Sequence, residues 1–226
     1  MKTKFWLPLL ITCAVMCPQL VLAGTLRESV SLLPSDASLS ILTQMREGVN
    51  LEELSQEREE ITYVYGQLGQ EPPDLATLNG TELHFILEEA QAQIQEREVA
   101  HKREVQANIV AAAYATPTTP VGYCAQWVID VYRNAGLDVE ELNACDMYWR
   151  YCTSADTNEL SAGMIIAVPS HSKSGSAGLR YGHIGIYVGD GLVMDSTGTV
   201  NTRTLEEWTS YYGTDYAPQW GFAARF

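Results

Sequence analysis

Residues 181–191, YGHIGIYVGDG, leave the backbone little choice. Strict alternation puts His183, Gly185 and Tyr187 on one strand face and Ile184, Ile186 and Val188 on the other. Gly-Asp-Gly at 189–191 reads as a tight hairpin turn, so Leu192-Val193-Met194-Asp195 runs back beside the first strand. Pairing around that turn brings Asp195 toward His183. The glycine two residues after His183 leaves that face open to another backbone or to a bound molecule. A carboxylate beside an imidazole fixes its tautomer and stabilises the imidazolium. A lone strand histidine is otherwise a packed core residue.

Further short apolar runs bounded by turn residues read as strands at Met164 to Val168 and Trp220 to Phe226. Ahead of them, GYCAQWVIDVYRNAG (122–136) has helical periodicity in Ala125, Val128, Tyr132 and Ala135, with Gly136 as the stop. Cys124 therefore opens a helix that buries one face. The positive end of the helix dipole stabilises a thiolate there, and the unpaired N–H groups can receive an oxyanion. Cysteine is equally a small buried hydrophobe when nothing else joins it.

The first half of the chain differs in character. Leu51, Leu54, Arg58, Ile61, Tyr65 and Leu68 alternate spacings of three and four, close to a heptad seam, and Gly69, Pro72 and Pro73 end the run. A second helical pattern runs from about Gly80 to Ala113. The pair predicts a helical hairpin or coiled-coil region over 24–115, an acidic, partly disordered stalk being the competing reading. TPTTPVG (116–122) reads as a linker, and 116–226 is long enough for one compact domain.

The N-terminus predicts a secretory signal peptide over 1–23: Lys2 and Lys4, an apolar run from Phe5, then Val21-Leu22-Ala23 before a cut. An uncleaved anchor competes with it. The formal charge is −14, and removal of the two lysines makes it more negative. That excludes a nucleic-acid partner, and no membrane contact is expected beyond the signal peptide. Removal also takes away Cys13 and Cys17, leaving Cys124, Cys145 and Cys152, an odd number for an exported chain.

Cysteine at a helix start, the GMIIAV strand, HIGIYVGDG and Asp195 twelve positions after the histidine together resemble the NlpC-type family of papain-like cell-wall cysteine peptidases. The resemblance covers about half of the chain, residues 120 to 226. Tyr123-Cys124-Ala125-Gln126 stands where that family usually has Asp-Cys-Ser-Gly, and GYCAQWV is closer to the related CHAP amidohydrolase/peptidase group. The implied fold is α+β, a helix packed on a small antiparallel sheet and preceded by the helical hairpin. The implied activity is amide hydrolysis in peptidoglycan stem peptides, with a γ-D-glutamyl bond as one candidate. Cys124 would be the nucleophile, His183 the base and Asp195 the orienting group. A catalytically inactive wall-binding module and an acyltransferase on the same fold are the alternatives. The expected location is outside the cell or at the bacterial wall, and the partners expected are bacterial peptidoglycan and, for the helical region, a cell-surface protein.

Substrate-contact candidates around this site are Tyr123, Trp127, Tyr148, Trp149, Arg180, Tyr181 and Ser196. Aromatics at helical spacing are more often core, which weighs against Tyr148 and Trp149. Cys145 and Cys152 on one helix would lie about 10 Å apart, beyond disulfide reach, so a bridge requires the segment to turn. SHSKSGSAGLR (170–180) reads as a polar loop at the rim, with His171 a minor rival base. No ligand pair has zinc-finger spacing, and no cofactor is expected.

Overall fold

The computed structural model describes residues 51–225, and the leader read over 1–23 lies outside them. Two compact units divide at Ala90, and each is described by itself. No helix among the described residues is long and apolar enough to cross a membrane.

The first unit contains α1 (Leu51–Leu68) and the start of α2 (Gly80–Ala115). Leu54, Ile61, Val64 and Leu68 are buried from α1, and Leu83, Leu87 and Ala90 from α2. Arg58, which interrupts the apolar seam, sends its guanidinium to the carbonyls of Leu75 (3.0 Å) and Leu78 (3.3 Å), fastening the turn to the helix. Asn79 and Glu82 exchange side-chain bonds with each other's backbone N–H, a reciprocal cap that starts α2.

The second unit begins inside α2 at Gln91. It comprises the rest of that helix, α3 (Cys124–Asn134), α4 (Ala144–Tyr151), α5 (Gly175–Tyr181), α6 (Leu205–Tyr212) and one sheet. The strands are β1 (Ile165–Val168), β2 (His183–Gly189), β3 (Leu192–Ser196), β4 (Val200–Thr204) and β5 (Gln219–Gly221). Their order is β4-β3-β2-β1-β5 and every pairing is antiparallel. This is the α+β arrangement the sequence predicts.

Alternation along the strands divides the core between the two faces of the sheet. Ile165, Ala167, Ile184, Ile186, Val188 and Met194 pack with α3, α4 and the Ile109 end of α2. Ile166, Val168, Val193 and Trp220 pack with Trp208 and Tyr212 of α6. The β2–β3 hairpin turns at Asp190 (φ 50°) and Gly191 (φ 72°). Helix α3 closes as predicted, with Leu137 N–H on the Tyr132 carbonyl and Gly136 N–H on Arg133.

Three expectations change. The 116–122 segment is no free linker: Thr116 and Thr119 are buried, and Trp127 Nε1 donates to the Thr116 carbonyl at 3.4 Å. The 170–180 loop contains a 3₁₀ turn (Ser172–Ser174) and most of α5. The last strand spans three residues rather than seven.

Candidate active site

Cys124 stands at the first turn of α3, whose buried residues Trp127, Val128, Val131 and Tyr132 hold that helix against the sheet. His183 is the first residue of β2 and is 4% exposed. Gly182 before it has φ +70° and sits so close to β1 that a Cβ would lie 2.0 Å from the Val168 carbonyl oxygen. Only glycine passes there, and it aims the chain into the strand with the imidazole at its head. Gly185 is equally constrained, because a Cβ would meet the Met194 carbonyl at 2.6 Å and Asp195 Cβ at 3.3 Å. The open face after His183 is thus filled by strand β3, the one that carries Asp195.

His183 Nε2 lies 3.1 Å from Asp195 Oδ2. A carboxylate only accepts, so Nε2 donates and carries the proton in this pair. Burial opposes protonation of His183, but the bond to Asp195 and the bond and charge of Cys124 outweigh it, pushing the pKa up to about 9. The imidazole is also held flat, stacked on Tyr212 with ring centroids 4.0 Å apart.

Asp195 is fully buried. Its Oδ2 also accepts from Trp208 Nε1 (2.9 Å) and Arg203 Nη1 (3.3 Å), and its Oδ1 accepts from Asn201 Nδ2 (3.1 Å). Burial raises its pKa, yet the bond and charge of His183, the Asn201 bond and the Arg203 charge hold it below the usual carboxylate value. The carboxylate stays ionised where water does not reach it.

His171 is buried beside the pair, its ring 5.9 Å from that of His183 in an edge contact. Its Nδ1 accepts from Lys173 N–H at 3.2 Å, and it makes a backbone hydrogen bond with Gly182. Burial first, then the His183 charge, lowers its pKa. A neutral ring with its nitrogens occupied is a wall of the site and a poor base.

Cys124, His171 and His183 line one cleft of about 500 Å³, together with Tyr123, Tyr181 and Ser196. Four of the substrate-contact candidates lie elsewhere. Trp127 is completely buried, because the inward face of α3 carries it into the core. Tyr148 is buried with its hydroxyl on the Ala217 carbonyl (3.2 Å). Trp149 is exposed, but it leans edge-on against Tyr148 and Tyr216 rather than toward the cleft. Arg180 lies across the Tyr181 ring, 5.2 Å from its centre, outside the lining. Cys145 and Cys152 are free thiols at opposite ends of α4, and burial pushes Cys152 up to about 12.

Asn201, Arg203, Trp208 and Tyr212 escape the sequence reading. One local signal was available: Thr204-Leu-Glu-Glu207 is a capping box ahead of an apolar run, and both of its reciprocal bonds form. It announces α6, on which Trp208 and Tyr212 stand one turn apart.

No family model matches the chain, and no curated protein matches it. Solved structures similar to it include NlpC1 from Trichomonas vaginalis, 14% identical over 52% of this chain and 44% of that one, with a TM-score of 0.39. NlpC2 from the same organism is 15% identical over 54% and 47%, TM-score 0.39. The peptidoglycan hydrolase RipB from Mycobacterium tuberculosis is 14% identical over 92% and 96%, TM-score 0.41. An NlpC/P60 family protein from Bacillus cereus is 16% identical over 53% and 40%, TM-score 0.39. The chain spans less than half the length of the two Trichomonas proteins and of the Bacillus one. Proteins that this chain is similar to thus include NlpC and NlpC/P60 proteins and a peptidoglycan hydrolase.

Proposed function

We propose that this chain is an exported cysteine hydrolase that cleaves amide bonds in the peptide stems of bacterial peptidoglycan. The observation that carries the reading is the shared position of Cys124, at a helix start, and His183, backed by a buried carboxylate in one open cleft. The substrate class comes from the likeness of HIGIYVGDG and the cysteine helix to the NlpC-type family.

In this mechanism the Cys124 thiolate attacks the scissile carbonyl carbon, and the carbonyl π electrons move onto oxygen. Backbone N–H groups at the start of α3 receive that oxyanion. His183, protonated on the nitrogen facing the thiol, gives its proton to the leaving amine as the C–N bond breaks, leaving a thioester. Water then attacks the thioester, His183 takes the water proton, and the C–S bond breaks to release the carboxylic product. Asp195 keeps Nε2 protonated throughout, so the opposite nitrogen faces the chemistry in both half-reactions.

Incubation of the full chain and of Cys124→Ala with purified cell walls tests the proposal, with soluble peptides and new amino groups measured by mass spectrometry. Release by the wild type alone is expected. Equal release from both proteins would contradict it.

A further inference from the structure

We infer that the cleft accepts an uncharged substrate segment, one with neither a free carboxylate nor a free amine beside the scissile bond. The inference rests on the hydrolytic reading of Cys124 and His183. Where an acidic stem residue can carry an α-carboxylate or an α-carboxamide, it assigns the carboxamide form as the substrate.

Among the described residues no Asp, Glu, Lys or Arg lines the cleft. Its walls are apolar or neutral, Val121, Ala125, Ala144, Ala177 and Tyr181 among them. The charged side chains nearest in sequence are committed to other partners. Lys173 Nζ lies over the Tyr211 ring at 5.3 Å, and Arg203 is held by Asp195 and Tyr212. Asp146 is engaged by Asn143, and Arg180 lies over the ring of Tyr181 without itself entering the lining. The positive charge of His183 is matched by Asp195, and His171 is held neutral.

A carboxylate entering this space leaves water and meets no Lys or Arg on the lining, and an ammonium meets no Asp or Glu there, the Asp215 carboxylate acting on His171 from outside the lining. The net charge of −14 adds a field that repels anions at long range. Amides pay no such penalty, because Thr197 and Ser174 on the lining supply hydroxyls for them.

The test uses two N-acetylated synthetic stem peptides that differ at one group, D-glutamate α-carboxylate in one and α-carboxamide in the other. With the full chain, kcat/KM for the carboxamide peptide should be higher by at least about tenfold. Arg180→Ala should leave that ratio unchanged. Equal rates, a preference for the carboxylate, or a ratio that depends on Arg180 would overturn the inference. Binding of both peptides to Cys124→Ala by calorimetry separates this from the reading beneath it. Tighter binding of the carboxamide peptide without any cleavage by the wild type keeps the specificity and removes the hydrolysis. Equal binding, carboxylate preference or binding of neither peptide overturns the inference even where walls are cleaved.

Discussion

Asp195 concentrates the electrostatics of this protein in one side chain. Four donors converge on a fully buried carboxylate, one being the catalytic candidate His183 and the others Asn201, Arg203 and Trp208. Replacement by alanine removes this acceptor from all four and leaves the buried Trp208 Nε1–H and the His183 ring without it, so Asp195→Ala should lose roughly 3–5 kcal/mol of stability in urea titrations. Asp195→Asn keeps the shape and removes the charge. It should lower kcat/KM by about 10²-fold or more and move the alkaline limb of the pH profile down from about 9, because the neutral amide no longer favours imidazolium. An unmoved limb would detach that limb from His183. The same shift has a stability consequence. His183 rises from 6.5 to about 9, so it binds a proton on folding. Its contribution is complete below about pH 6.5 and is lost as pH climbs through about 9. The urea midpoint of the wild type should therefore fall more across that window than that of His183→Gln.

Between elements, the decisive joint is the end of β3. Ser196, next to Asp195, is fully buried and lies 2.9 Å from Thr118 Oγ1 and 3.1 Å from both the N–H and the Oγ1 of Thr119. Thr119 Oγ1 in turn lies 2.9 Å from the carbonyl of Tyr123, the residue before Cys124. Two strand neighbours, Asp195 and Ser196, thus face opposite sides, one fixing the base and the other the approach to the nucleophile. Thr119→Val removes the hydroxyl at constant shape and should slow Cys124 chemistry by about fivefold or more, while Thr119→Ser should restore it. Equal loss in both variants would point to packing alone. The legibility of the site divides at this same scale. Cys124, His183 and Asp195 follow from local patterns: a helix start, a period of two and a turn that sets register. Asn201 and Arg203 do not, since they matter through cross-strand pairing, Asp195 facing Asn201 and Val193 facing Arg203, which no local run encodes. Trp127 lies in the core and not in the cleft, because helical spacing says which residues share a face and not which face the core takes.

For the molecule as a whole, the compact unit around the cleft starts at Gln91 and not at the proline-rich segment. Val105, Ile109, Ala112 and Ala113 of α2 are buried in the same core as Trp127 and Ile184. Composition set the expected boundary at 116, because prolines mark where a helix stops and carry no information on what that helix packs against. A 116–226 fragment should accordingly unfold at much lower urea than 91–226, and Ile109→Ala in the full chain should cost about 2–5 kcal/mol. Indistinguishable midpoints for the two fragments would return the boundary to the prolines. The central claim, that His183 activates Cys124, is tested most directly by the alkylation rates of two thiols in one molecule at neutral pH. Cys145 also sits in the first turn of a helix and is partly exposed, but it lies outside the cleft lining. Peptide mapping after a timed iodoacetamide pulse should find Cys124 labelled at least about tenfold faster than Cys145, and His183→Ala should abolish the difference. Equal labelling of the two thiols in the wild type, or an advantage that survives His183→Ala, would contradict the account.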